Sequence, residues 1–111
     1  MNLQGKGFFI WKIRECENGD PQAIASLAVQ AGLTHVLIKI ADGTYSYNLD
    51  PSGVDMVPGL VRALHDRGIQ AWGRHYIYGS DPVGESNKAI QRINQTSVDG
   101  FVVDVEKEFK A

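Results

Sequence analysis

The chain has 111 residues, 43% of them hydrophobic, and a formal net charge of -2, which describes one globular domain with a modest core and argues against disorder. A slightly acidic balance lacks the basic excess of a nucleic-acid-binding protein, and no stretch approaches the roughly 20 apolar residues of a membrane span. Cys16 is the single cysteine, so one chain forms no internal disulfide, and a reducing compartment fits.

Gly7 to Ile13 (GFFIWKI) is rich in aromatic and β-branched residues and reads as a first strand. Lys12 and Arg14 interrupt this apolar run, so no signal-peptide pattern is present in the given chain and a soluble protein is expected. Asp20-Pro21 opens a helix, with Asp as N-cap and Pro at the first helical position. Ile24, Leu27, Ala28 and Ala31 recur at helical spacing and predict one apolar stripe, ended by Gly32.

His35 to Ala41 (HVLIKIA) is a nearly continuous apolar run, as expected of a parallel strand buried on both faces. Thr44 to Gly53 is a loop by composition, long and aromatic enough to shape a site. A second helix is predicted from about Asp55 to Arg67, with Val57, Leu60, Val61 and Leu64 as its stripe. Pro58 falls in its first turn, where it is tolerated. Ile69 to Tyr78 reads as the third strand. Asp81-Pro82 repeats the earlier cap before a third helix, whose expected stripe is Ala89, Ile90 and Ile93.

The fourth strand, Asp99-Gly100-Phe101-Val102-Val103-Asp104-Val105-Glu106, ends on two carboxylates. Strand side chains alternate, so Asp104 and Glu106 are expected on the face of Val102, about 7 Å apart along the chain, with Phe101, Val103 and Val105 opposite. Unpaired carboxylates are costly to bury, so this strand end is the prime candidate site.

The order βαβαβαβ, with strands starting roughly 30 residues apart, implies parallel strands joined by right-handed crossovers. The fold class expected is α/β: four parallel strands alternating with helices, half of a TIM (β/α)8 barrel. A small doubly wound sheet is the other architecture. Complete barrels run to about 250 residues, so residues 1–111 are expected to form a single (βα)3β domain belonging to a longer barrel. In both folds ligands meet the carboxyl ends of the strands, where Trp11, Lys39, Asp42, His75, Tyr76 and Tyr78 join Asp104 and Glu106 as candidate site residues.

The final strand is similar to the D-G-x-D-x-D-x-E signature on the fourth barrel strand of family 18 chitinases, and to the shorter D-x-E at the same place in family 25 lysozymes, the muramidases. The GFFIWKI, THVLIKIADG and GRHYIYG segments resemble the first half of glycosidase-like barrels related to both. Val102 stands where the chitinase motif has another Asp, which favours the simpler D-x-E pattern. The resemblance implies that Glu106 protonates the glycosidic oxygen and that Asp104 helps hold and charge-stabilise the substrate's N-acetyl group. Paired carboxylates suit glycosidic cleavage, which needs an acid for the leaving oxygen and a group that stabilises an oxocarbenium-like centre. The ordinary separation rule lapses when the substrate's own acetamido oxygen is the nucleophile, so spacing predicts no stereochemistry.

The function expected is therefore hydrolysis of an N-acetyl-sugar polysaccharide by the complete barrel, with Glu106 and Asp104 catalytic and Trp11, Lys39, Asp42, His75, Tyr76 and Tyr78 binding substrate. Each has a structural alternative. The two acids could be a solvated strand end, Lys39 an ion-pair partner, His75 a structural histidine, and the aromatics core residues. His35 and His65 have no metal-ligating spacing, so neither a metal nor another cofactor is expected. Gly5-x-Gly7 precedes a strand, the wrong context for a dinucleotide loop. Acidic residues after the first strand (Arg14-Glu15-Cys16-Glu17) make a poor phosphate cradle. The rival reading is a non-catalytic carbohydrate-binding or assembly half-barrel. Its open sheet edges would favour a homo-oligomer, with no nucleic-acid or membrane partner.

Overall fold

The computed structural model describes residues 5–105. Four parallel strands, β1 (Gly7–Ile10), β2 (His35–Asp42), β4 (Gln70–Ile77) and β5 (Gly100–Val105), lie side by side in chain order. A two-residue strand, β3 (Tyr45–Ser46), folds back antiparallel on the end of β2. Each pair of successive long strands is bridged by a helix: α1 (Pro21–Gln30), α2 (Val57–His65) and α3 (Pro82–Thr96). A doubly wound sheet reverses its strand order at a switch point. Here the order never reverses, and the topology is that of half a (β/α)8 barrel.

Local chemistry accounts for the helix starts. The Asp20 carboxylate accepts hydrogen bonds from the backbone N–H groups of Gln22 (3.0 Å) and Ala23 (3.4 Å), and Pro21 follows it. Asp81 caps α3 in the same manner through Gly84 N–H at 3.0 Å. At the start of α2, Asp55 accepts from Val57 N–H at 3.1 Å.

The core lies between the sheet and the helices. Val36, Ile38 and Ile40 of β2 pack with Ile24, Ala25 and Ala28 of α1 and with Val57, Leu60, Val61 and Leu64 of α2. The stripe expected on α2 is fully buried. That on α1 is shifted, because Leu27 is exposed beside β1 while Ala25 is buried.

Three expectations need correction. The first strand stops at Ile10, and Ile13 starts a short 3-10 turn (Ile13–Glu15) that buries its side chain in the core. Strand β2 runs one residue further than expected, to Asp42, through a bulge between Lys39 and Ala41. The α3 stripe is not the buried face: Ile90 is 60% exposed, and the buried positions are Glu85, Arg92 and Thr96. Polar groups cover that part of the sheet because they meet backbone groups of β2, at its bulge, and of the turns after β2 and β4. Arg92 donates to the carbonyls of Ile40 (2.7 Å) and Tyr47 (3.0 Å) and pairs with Asp55 at 2.6 Å. Glu85 accepts from Tyr78 N–H (2.8 Å) and Gly79 N–H (3.0 Å), which ties down the turn after β4.

Candidate functional site: the open face of the sheet

The face of the sheet turned away from the helices carries different chemistry. Register across β1, β2, β4 and β5 stacks its residues in layers along the strands. Phe9, Leu37, Trp72 and Gly100 form a lower layer, Lys39, Arg74 and Val102 the next, and Asp42, Tyr76 and Asp104 the one at the carboxyl ends. Glycine is required low on this face, since a Cβ on Gly100 would come within 2.4 Å of the Trp72 ring. The indole therefore lies across the β5 backbone and closes the floor.

Lys39 is the centre of the layer above. Its side chain is 1% exposed, and its Nζ lies 4.4 Å from the Trp11 ring centroid, 4.1 Å from Tyr47 and 4.2 Å from Tyr76. Each ring presents a negative face to the ammonium, and Asp42 supplies the full countercharge at 2.7 Å. Strict alternation would turn Lys39 and Asp42 to opposite faces. The bulge at Ile40 brings them together, as bulges do when they re-aim a side chain.

Asp42 also accepts from the Tyr78 hydroxyl at 2.6 Å. Partial burial works to raise its carboxyl pKa, but the hydrogen bonds from Lys39 and Tyr78 and the Lys39 charge outweigh that effect, so it titrates below the ordinary carboxylate range. One strand further on, Asp104 forms an ion pair with Arg74. The Arg74 guanidinium lies over Phe9 at 4.3 Å and near Tyr76 at 5.9 Å.

The loop after β2 supports the cage. Asn48 has a left-handed backbone (φ 65°), a conformation Asn tolerates better than most residues. Its amide accepts from Ile13 N–H (2.7 Å) and donates to the carbonyls of Trp11 (2.9 Å) and Lys39 (2.7 Å), which stitches three segments together. The Trp11 indole N–H donates to the Tyr47 hydroxyl at 2.6 Å, and one side of the Trp11 ring is left in solvent, 49% exposed.

No family model, curated protein or solved structure matches this chain.

Of the residues expected in the site, Trp11, Lys39, Asp42, Tyr76 and Tyr78 form one connected cluster, and Asp104 adjoins it through Arg74 and Tyr76. His75 does not join it. It lies on the helix side, edge-on to Phe101, and its Nε2 donates to the Gly43 carbonyl at 2.7 Å. Neighbouring strand residues face opposite ways, so only one of His75 and Tyr76 can reach the open face, and Tyr76 does. Glu106 lies outside the described residues.

Phe9, Tyr47, Asn48 and Arg74 belong to the site and were not anticipated. Arg74 and Phe9 had a readable signal: each stands two positions from a candidate, Tyr76 and Trp11, and so shares its face. Tyr47 and Asn48 had a coarser one, since they lie in the Thr44 to Gly53 loop expected to shape a site, but loop backbone carries no periodicity that would single them out.

Chemically, Lys39 is enclosed and acts on Asp42, whereas the carboxylates of Asp42 and Asp104 keep some exposure and are oriented acceptors beside aromatic rings. Among the described residues no three His, Cys, Asp or Glu side chains gather as a metal-binding group. Among the same residues, no helix is long and apolar enough to cross a membrane.

Proposed function

We propose that the open face of this half-barrel binds a polysaccharide containing N-acetyl sugars, and that the complete barrel hydrolyses it with Glu106 as general acid and Asp104 as the stabilising carboxylate. The observation that supports this reading is the position of Asp104. It stands at the carboxyl end of a barrel strand, on the face that bears Trp11, Tyr76 and Arg74, where barrel enzymes carry their catalytic groups. Aromatic rings beside oriented carboxylates suit a saccharide, whose C–H faces stack on rings while its hydroxyls donate to carboxylates. In this reading Glu106 protonates the leaving oxygen as the C–O bond breaks, and Asp104 orients the acetamido group whose oxygen meets the positive anomeric carbon. Glu106 takes the acid role on the D-x-E pattern alone.

The test is sugar release from chitin oligomers and from peptidoglycan by the protein and its Glu106→Gln variant. Loss of turnover in the variant with binding retained is the expected result. Equal turnover in both would eliminate the acid role. Binding without turnover, indifferent to Glu106→Gln and lost in Trp11→Ala, would establish a carbohydrate-binding module instead.

A second reading, an assembly module, is favoured by the flanks of the sheet. Strands β1 and β5 have no partner on their outer edges among the described residues, and Phe8, Val103 and Val105 are exposed beside them. A second copy related by a twofold axis parallel to the strands would pair β5 with the partner's β1, and β1 with the partner's β5, leaving no free edge. Light scattering over a concentration range decides it: a stable dimer supports closure by a second copy, and a monomer at all concentrations rejects it.

A further inference from the structure

At the carboxyl end of β1, the turn that begins at Trp11 and the loop that carries β3 enclose a cavity of about 340 Å³. Its wall includes Lys12, Arg14, Ser46 and Tyr47. Tyr47 is the shared partition, since its ring covers Lys39 and its hydroxyl holds the Trp11 indole.

The cations here differ from the buried cations of the sheet and of α3. Lys39, Arg74 and Arg92 are each held by a carboxylate: Asp42, Asp104 and Asp55. Among the described residues Arg14 has no ion pair, and Lys12 pairs only with Glu15, 3.9 Å away with both side chains largely exposed. An exposed pair of that length contributes little. A third cation approaches from α3, where Lys88 donates to Ser46 Oγ at 3.1 Å. That bond uses the oxygen as acceptor and leaves the Ser46 hydroxyl hydrogen to donate. Two cations without a strong partner and a hydroxyl donor thus line one cavity, Lys88 reaches that hydroxyl from outside the lining, and the half-exposed Trp11 ring is joined to the cavity wall through Tyr47.

We propose that this cavity receives the anionic substituent of a saccharide, a carboxylate or a sulfate ester, whose sugar ring stacks on Trp11. Lys12 and Arg14 are the specificity-determining residues. This rests on the saccharide reading above and extends it, because it selects acidic over neutral glycans.

The test is calorimetric titration of the full chain with four tetrasaccharides: neutral chitotetraose, hyaluronan, in which N-acetyl sugars alternate with carboxylate-bearing sugars, unsulfated chondroitin, and its sulfated counterpart, chondroitin 4-sulfate. Hyaluronan is expected to bind about tenfold tighter than chitotetraose at low salt, the sum of two charge-assisted contacts. The preference should collapse toward unity at 0.5 M NaCl and in the Lys12→Gln/Arg14→Gln variant, which keeps its affinity for chitotetraose. A further gain of chondroitin 4-sulfate over unsulfated chondroitin assigns the cavity to sulfate, and no gain assigns it to carboxylate.

Equal affinity for neutral and acidic glycans overturns the inference while leaving the saccharide reading intact. So does a preference that survives the double substitution. If no glycan binds, the saccharide reading fails, and titration with sodium sulfate followed by amide NMR decides the cavity by itself. Shifts confined to residues 12–14 and 46–48 and absent from the double variant retain an anion site, and their absence from the unaltered protein removes it.

Discussion

The two faces of one sheet are built for different surroundings. On the helix side, β2 presents Val36, Ile38 and Ile40 to an aliphatic core, with the buried Arg92 reaching only the Ile40 carbonyl at its margin. On the other side the same strand presents Lys39 and Asp42 to aromatic rings. The first face gains stability from area removed from water, a non-directional effect that tolerates substitutions of similar volume. The second depends on geometry: the ammonium avoids a large desolvation cost only because three rings and one carboxylate surround it. The aliphatic face should thus respond to lost volume and the polar face to lost partners.

The largest effect is expected from Leu64→Ala in the aliphatic face. Leu64 is fully buried, and truncation should cost about 3–4 kcal/mol in chemical denaturation. Arg92→Ala should come close, at about 3 kcal/mol, by leaving the buried Ile40 carbonyl with one donor fewer and Asp55 without its cation. A loss under about 1 kcal/mol would mean that water replaces the guanidinium and that the polar underside of α3 carries little weight.

Within the cage the two partners should behave unequally. Asp42→Asn removes the countercharge from an enclosed Lys39 and should cost about 2–3 kcal/mol. Lys39→Met keeps the volume between the rings and leaves Asp42 its Tyr78 bond and partial solvent access. It should change stability by less than about 1 kcal/mol. Equal losses would show that the ion pair itself, rather than the cost of an orphaned cation, dominates.

The smallest effect is in the pH dependence. The Asp42 pKa is depressed in the folded chain, so its contribution is fully present above the ordinary carboxylate value of about 3.9 and is lost as pH falls through the lower folded value. Acid melts should therefore fall less steeply below about pH 4 in Asp42→Asn than in the unaltered protein. Parallel acid limbs would show that Asp42 titrates as an ordinary surface carboxylate.

Legibility in the sequence followed the physics of each region. The α2 stripe and the Asp20 and Asp81 caps were readable because they depend on local spacing and on side chains that bond within a few residues of themselves. On the α3 face the buried Arg92 is not legible because its partners Asp55 and Ile40 lie 37 and 52 residues away, whereas Glu85 and Thr96 bond within seven residues but by polar contacts that hydrophobic periodicity does not report. The Lys39 and Asp42 pairing was hidden for a related reason, since a one-residue bulge reverses the parity from which faces are inferred.

By itself the sequence determined the α/β class, the alternation of four parallel strands with helices, and the pleating that sets Asp104 on the face of Val102, because hydrophobic periodicity and backbone pleating are local properties; that the strand order never reverses was decided by the tertiary structure. Only the tertiary structure decided that Tyr76 rather than His75 looks outward, that Trp11, Tyr47 and Tyr76 enclose Lys39, and that Lys12, Arg14 and Ser46 share one cavity. Those outcomes depend on register, a bulge and a returning loop, which bring together residues that no spacing along the chain connects.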